Sequence, residues 1–222
     1  PWSYSSGNGL TCFTFLYLFA QGLNIFFHKN IFYLNNIISK SPAAAADCSL
    51  SANSHIFAVD TIGHPGKSAE VSLSPNNYDY GKWAGEIIGQ LGFEKISCFA
   101  GSFGAGIIAK TMCVAPNKIK RAVLYIPSGI NNAPAINSRS MMFPMIMYWL
   151  THKDKWLKKC MLPMAVTEDN ITQDIYETAK LSINYSKVKT GMPSNVSAKY
   201  MNKCKAPTLV MAAEKDCLFP AK

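Results

Sequence analysis

The residue best suited to chemistry in this sequence is Ser102, a serine between small residues where a strand pattern changes directly into a helix pattern. The short apolar run 96–100 predicts a β-strand, and a helical pattern up to Ala115 follows at once. A strand that becomes a helix without a loop needs a sharp turn with small flanking residues, so that the two backbones can approach. Such a turn exposes the hydroxyl beside a helix N-terminus, where backbone N–H groups can stabilise an oxyanion. The pattern therefore predicts that Ser102 acts as a nucleophile.

Composition and charge favour a globular domain. Hydrophobic residues make up 49% and charged residues 16% of the 222 residues, which is unlike a disordered chain. The formal net charge is +9, but the lysines are scattered, and no Arg-rich run or basic helix with interleaved aromatic residues is present. We interpret the charge as surface potential and expect no nucleic-acid partner.

The seven cysteines and four histidines indicate a reduced protein without a metal site. The cysteine number is odd, no pair forms a Cys-x-x-Cys motif, and Cys98 and Cys113 lie in core-like patterns. This usage favours free thiols in the cytoplasm over a disulfide framework. The histidines show no metal-ligand spacing, so we expect no metal site.

Residues 1–54 differ from the rest of the chain, since they are rich in Phe, Asn and Ser and show no clean periodicity. The first residue is Pro1, which indicates a fragment or a processed product. Residues 10–27 are strongly apolar, but Gln21, Gly22 and Asn24 interrupt them, so a buried strand pair or helix is favoured over a membrane span. We interpret residues 1–54 as a divergent segment; whether it holds the first core strands stays open.

From residue 55 onward, strand patterns alternate with helix patterns. Near-continuous apolar strands separated by helices predict an α/β fold, a mostly parallel sheet with helices on both faces. The predicted strands are residues 55–60, 96–101, 121–127 and 208–213, and the predicted helices are residues 80–91 and 103–115.

Residues 130–205 break this alternation, because they are rich in Met and aromatic residues and contain helical stretches such as 169–181. A helical insertion between two core strands would form a cap over the carboxyl ends of the strands, where open α/β sheets bind ligands. Such a cap suits an apolar substrate, whereas ordinary helix packing is the alternative for any single Met. We therefore predict a core at residues 55–129, a helical cap at 130–205 and an acid-bearing core strand at 206–222.

Three motifs in order give the chain, from residue 55 onward, a resemblance to the α/β-hydrolase superfamily, in its capped esterase, lipase and peptidase-like branch. Residues 60–68 are similar to the family's Asp-x-x-Gly-x-Gly-x-Ser loop, with one extra residue between the glycines. Residues 100–104 resemble the nucleophile elbow Gly-x-Ser-x-Gly, with Ala100 in the first glycine position, then Gly101, Ser102 and, last, Gly104. Residues 207–216, followed by a Phe-Pro pair, resemble the strand and turn that hold the acid.

The resemblance implies acyl transfer through a covalent intermediate, without a cofactor. Ser102 would be the nucleophile, a histidine would take its proton, and Asp216 would orient that histidine. The backbone N–H of Phe103 would be one oxyanion donor. Asp60 would be structural and hold its loop beneath the site. The alternatives are a plain turn at Ser102 and a helix N-cap at Asp216.

Two parts of the family pattern are missing. The family's histidine follows its acid, but no histidine follows Asp216, so we expect the C-terminal strand, helix and histidine to be absent from this chain. Only His64, in the Gly-Pro loop, is considered as a substitute. The family's strand ending in His-Gly, the source of a second oxyanion donor, has its nearest match at 24–28, where Lys29 replaces the glycine and would resist the conformations that glycine adopts.

The sequence leaves two functions open. One is a carboxylesterase-like serine hydrolase that acts on a small-molecule ester, or an amide, with a mostly apolar acyl group. The other is a catalytically incomplete binding protein of the same fold, which the missing histidine supports. Lyase or C–C bond hydrolysis would use the same residues, whereas a haloalkane-type enzyme is disfavoured because its nucleophile is Asp. The sequence predicts neither the substrate nor the oligomeric state.

Overall fold

Five parallel strands form one sheet in the computed structural model, which describes residues 29–35, 54–64, 67–165, 167–185, 191–213 and 216–221. The strands are β1 Lys29–Asn35, β2 Ser54–Asp60, β3 Ile96–Gly101, β4 Ile119–Tyr125 and β5 Thr208–Met211. The α-helices are α1 Asp79–Gln90, α2 Ser102–Val114, α3 Arg139–Thr151, α4 Asp154–Ala165, α5 Gln173–Tyr185 and α6 Ala198–Met201. The prediction of a mostly parallel sheet with helices is confirmed.

The strand order, β2-β1-β3-β4-β5, places a switch point next to Ser102. The connection after β1 leads to β2 on one side, whereas the connection after β3 leads to β4 on the other. Phe32 pairs with Cys98 across β1 and β3, and Ala100 pairs with Leu124 across β3 and β4. Open parallel sheets bind ligands at the carboxyl ends of strands beside such a reversal. The topology therefore makes the carboxyl end of β3 the expected position of a ligand site.

The central strands are buried on both faces, as expected for a parallel sheet that is covered on both sides. Phe32, Leu34 and Ala100 belong to a core cluster that includes residues of α1 and α2. Ile31 and Phe99 point to the opposite face, because side chains alternate along a strand, and they are buried too. The strands therefore hold the elbow on a rigid base.

Helix α2 is buried along nearly its whole length, and this burial includes a lysine. Every residue from Phe103 to Cys113 is buried. The Lys110 Nζ donates hydrogen bonds to the carbonyl oxygens of Pro75 (2.8 Å) and Asn77 (2.6 Å) and to Ser194 Oγ (3.2 Å). Burial lowers the pKa of the Lys110 ammonium. The lysine thereby fastens two loops from distant parts of the sequence to α2.

The helices between β4 and β5 have a hydrophobic cluster of their own. Tyr148 of α3, Leu157 and Met161 of α4 and Tyr176 of α5 are buried in it, apart from the core cluster of the sheet. The helical character predicted for residues 130–205 agrees with these elements. None of the helices that the structure describes is both long and apolar enough to cross a membrane.

Several predicted boundaries need correction. The predicted strand 121–127 is β4, which starts two residues earlier and ends at Tyr125, because Ile126 has a positive φ of 45° that ends extended structure. The predicted helix 169–181 begins only at Gln173, since Glu168–Asn170 forms a 3-10 turn. Strand β1 lies inside the segment 1–54, where no periodicity predicted it. The apolar residues 10–27 lie outside the described part of the chain.

Candidate active site

Ser102 occupies a strained turn between β3 and α2. The strand ends at Gly101, the helix begins at Ser102, and Ser102 has a φ of 47°. A residue with a Cβ pays about 1–2 kcal/mol for this left-handed conformation, and such strain is concentrated at functional sites. The side chain is partly exposed, whereas the residues on both sides of it are buried. The strand-to-helix junction predicted from the sequence is therefore confirmed, one residue earlier than the predicted helix start.

The small residues around Ser102 are required by their neighbours. A Cβ on Gly101 would overlap the ring of Tyr125 from the adjacent strand. A Cβ on Gly106 would lie 2.6 Å from Ser128 Oγ, closer than real Cβ contacts allow. Ala100 is fully buried inside the sheet. These positions explain the run of small residues by close packing at the elbow.

Ser128 holds the elbow from the next strand connection. Its backbone N–H and its Oγ both donate hydrogen bonds to the carbonyl oxygen of Ser102, at 3.1 Å and 3.0 Å. Ser128 is fully buried, and it follows the positive-φ residue Ile126 after β4. Sequence reasoning missed this serine, because the contact joins residues 26 apart and no local motif marks it. We refer to these two hydrogen bonds as the Ser128 clamp.

The backbone N–H of Phe103 lies in the first turn of α2, where helix N–H groups lack intrahelical acceptors. The ring of Phe103 is buried and packs edge-on against Tyr80, with ring centroids 5.4 Å apart. This packing fixes the backbone next to the serine. The geometry is compatible with the predicted oxyanion donor, and that role stays a prediction.

His64 lies beside the elbow but is not joined to the nucleophile. Its ring contacts the ring of Phe103, with centroids 4.5 Å apart, and burial lowers its pKa. Within the part of the chain that the structure describes, no hydrogen bond joins Ser102 Oγ to a histidine. In the same loop, the Asp60 carboxylate accepts a hydrogen bond from the N–H of Lys67 (2.8 Å), which agrees with a structural role for Asp60.

We expect the free energy of unfolding to decrease at acid pH, and we expect protonation of His64 to account for part of the decrease. Its folded-state pKa is lowered from 6.5, so the unfolded chain binds a proton first as the pH falls. The contribution of neutral His64 is complete above pH 6.5 and is lost as the pH falls towards the folded-state pKa. Urea unfolding of the parent and H64Q chains at about pH 7.5 and about pH 5 measures this. The parent's unfolding free energy relative to H64Q should decrease at the lower pH, and an unchanged difference would contradict the expectation.

Asp216 follows β5 and closes a tight turn. Its Oδ1 accepts hydrogen bonds from the backbone N–H groups of Leu218 (2.7 Å) and Phe219 (2.9 Å). No helix follows within the described residues 216–221, so the carboxylate closes a turn and does not cap a described helix. Because parallel strands end at the same edge of a sheet, Ser102 and Asp216 lie at the same edge, with β4 between their strands. Among the described residues, no group of three or more His, Cys, Asp or Glu side chains could hold a metal ion.

No protein-family model matches the chain, and no curated protein matches it by sequence. Solved structures, in contrast, share its fold. The crystal structure of naproxen esterase (carboxylesterase NP) from Bacillus subtilis matches with a TM-score of 0.66 and 16% identity, over 96% of this chain and 85% of that chain. MGS-M2, an alpha/beta hydrolase enzyme from a deep-sea metagenome library, matches with a TM-score of 0.55 and 16% identity, over 87% and 74% of the two chains. The chain has the α/β-hydrolase fold.

A third structure widens the range of α/β-hydrolase enzymes to which the chain is similar. The 2-hydroxy-6-oxo-6-phenylhexa-2,4-dienoate hydrolase from Rhodococcus matches with a TM-score of 0.57 and 15% identity, over 87% of this chain and 75% of that one. The substrate in its name is not an ester. Identities this low show the shared α/β-hydrolase fold and no more.

One detail of the resemblance to α/β-hydrolases was wrong. The match to the family's His-Gly motif required a strand that ends at His28, with Lys29 in the glycine position. Lys29 is instead the first residue of β1, so it stands at the amino end of a strand. Residues 24–28 lie outside the described part of the chain. The carboxyl end of β1, next to the elbow strand, is at Asn35.

Proposed function

We propose that this protein is a serine hydrolase that forms an acyl-enzyme through Ser102. The observation behind the proposal is the strained φ of 47° at Ser102, between a buried strand and the first turn of a helix. In an ordinary surface turn, a serine in this conformation would add strain without a benefit. In a nucleophile elbow, the same conformation exposes the hydroxyl above the edge of the sheet.

In the proposed reaction, Ser102 Oγ forms a bond with the carbonyl carbon of the substrate while a base takes the hydroxyl proton. The N–H of Phe103 would donate to the developing oxyanion. Collapse of the tetrahedral intermediate breaks the bond to the leaving group, which receives the proton from the base. Water then attacks the acyl carbon while the base takes its proton, and the base returns that proton to Ser102 Oγ as the acid is released. The base would be a histidine, and Asp216 would orient it. None of the described histidines is hydrogen-bonded to Ser102.

We assign the cap role to helices α3, α4 and α5. They follow the elbow-bearing half of the sheet, and their separate hydrophobic cluster supports an independent layer. The first turn of α3 lies next to the proposed acid, because Met141 Sδ is 3.9 Å from the Sγ of Cys217. A Met-rich helix in this position suits a small substrate with an apolar acyl group.

A binding protein without turnover is the second candidate, since no described histidine is hydrogen-bonded to Ser102. C–C bond hydrolysis is an alternative chemistry on the same residues.

The cysteines support a cytoplasmic location for the protein. Five of them are free thiols in the structure, which is typical of a reducing compartment.

Labelling with a fluorophosphonate probe tests the mechanism, because the probe reacts with activated serines and does not require knowledge of the substrate. The product of the complete gene should be labelled, S102A should not be, and S197A, which removes an exposed serine just before α6, should be labelled like the parent. A complete gene product that contains a later histidine and is not labelled at Ser102 would exclude the serine mechanism. It would favour the binding protein.

A further inference from the structure

Helix α3 exposes a continuous apolar face. Five large apolar side chains recur at i, i+1, i+4, i+7 and i+8, which at 3.6 residues per turn places them within an arc of about 120°. Phe143 is 61% exposed, Trp149 60% and Leu150 74%. We call this set the α3 stripe, and its members are Met142, Phe143, Ile146, Trp149 and Leu150. Contiguous apolar surface of this kind marks an interaction site.

The stripe does not arise from a helix that is loosely attached. The opposite face of α3 buries Pro144 and Tyr148, and Tyr148 is part of the hydrophobic cluster shared with α4 and α5. One face of α3 therefore packs against α4 and α5 within the domain. The stripe on its other face would be covered only by another molecule.

Lysines lie beside the stripe, because they contact an aromatic ring on α4 that packs against Phe143. The ring of Phe143 meets the ring of Trp156 on α4 edge-on, with centroids 5.9 Å apart. The Nζ atoms of Lys155 and Lys159 lie 5.4 Å and 5.1 Å from the Trp156 ring centroid. Asp154, the acidic residue in the first turn of α4, is paired with Lys180 at 3.0 Å. The border of the stripe on α4 is therefore cationic.

We propose that the α3 stripe and the α4 lysines form a surface that binds the interface of an anionic lipid bilayer. Large apolar side chains can enter the boundary between headgroups and acyl chains, while ammonium groups beside them contact anionic headgroups. A second copy of this chain fits less well, because pairing two stripes would bring two cationic borders and two net charges of +9 together. The surface lies on the membrane and requires no spanning helix. The inference concerns binding alone, so it does not depend on the chemistry of Ser102.

Sedimentation of the chain with lipid vesicles tests the proposal. We expect binding to phosphatidylcholine vesicles that contain about 30% phosphatidylserine, weakened by salt, and much weaker binding to pure phosphatidylcholine. W149S/L150S should lower the partition coefficient about 100-fold, since two large apolar groups no longer enter the interface. K155Q/K159Q should lower it about 10- to 30-fold and reduce the salt dependence.

Matched controls change similar residues outside the surface. V71S removes an exposed apolar side chain, and K95Q/K120Q removes two exposed lysines; both should bind like the parent. Equal binding of the parent and W149S/L150S would overturn the proposal, as would equal binding to the two kinds of vesicle. Light scattering tests whether a second copy of the chain occupies the stripe instead. If the parent is a dimer that does not bind vesicles, and W149S/L150S is a monomer, the stripe is a dimer interface.

Discussion

The S102A variant of the complete gene product is expected to lose ester turnover by about 10⁴-fold or more, which is the usual loss when the nucleophile of a triad is removed. The expectation rests on the proposed function. It is measured as kcat on a p-nitrophenyl ester of a short acyl chain, with S197A, at an exposed serine just before α6, as the control that keeps parental activity. Residual turnover by S102A close to that of the parent would show that another group attacks the substrate.

The same position has an expected effect on stability that is independent of substrate. Ser102 and an alanine in its place both have a Cβ at a φ of 47°, whereas glycine adopts this conformation without steric strain. S102G should therefore unfold with a free energy about 1 kcal/mol higher than S102A. At Ser140, in the first turn of α3, the order should reverse, because glycine is the poorer helix former. Equal stabilities of S102G and S102A would show that the turn is not strained.

Replacement of Gly81 by alanine is expected to lower the free energy of unfolding by about 2 kcal/mol or more, because α1 and α2 touch there through their backbones. A Cβ on Gly81 would lie 2.6 Å from the carbonyl carbon of Lys110 and 2.8 Å from the amide nitrogen of Thr111. Backbone atoms cannot rotate away as a side chain can, so the two helices would have to separate. The gain in helix propensity from alanine, about 1 kcal/mol, offsets only part of this loss.

Gly89 provides the matched control in the same helix. It is exposed, and a Cβ there would meet only the end of the Lys118 side chain, at 3.4 Å. G89A should therefore stabilise the chain by up to about 1 kcal/mol. Urea unfolding of the parent, G81A and G89A measures both effects. If the two variants change stability in the same direction, the backbone contact at Gly81 does not limit the packing of α1 on α2.

The parts of the fold that could be predicted from the sequence are those encoded in adjacent residues. Strand β3 was predicted with its observed bounds, because a short apolar run ends on small residues before the serine, and the structure buries all six residues of the strand. Strand β1 was missed, although it lies between β2 and β3 in the sheet, because its polar ends, Lys29 and Asn35, hide a short apolar centre. Its position becomes evident only through pairing with strands that are far away in sequence.

The same distinction between local and distant contacts separates the site residues that could be predicted from those that could not. The elbow could be predicted because its small residues, strand and helix are contiguous. Ser128 could not be predicted, because a serine after a strand has no local signature until Ser102 approaches it. The burial of Lys110 could not be predicted either, since lysine side chains are normally exposed. This lysine is buried, and its ammonium group donates hydrogen bonds to acceptors in two loops.

The Ser128 clamp has a consequence for the order in which the site forms during folding. The strained conformation of Ser102 is held by hydrogen bonds from a residue that follows β4, so it requires β4 to have paired with β3. A nascent chain that has made only β3 and α2 would let Ser102 relax to an ordinary φ. The strained conformation of Ser102 is therefore formed late, as a product of tertiary structure, and a partly folded chain that has released β4 would not hold it.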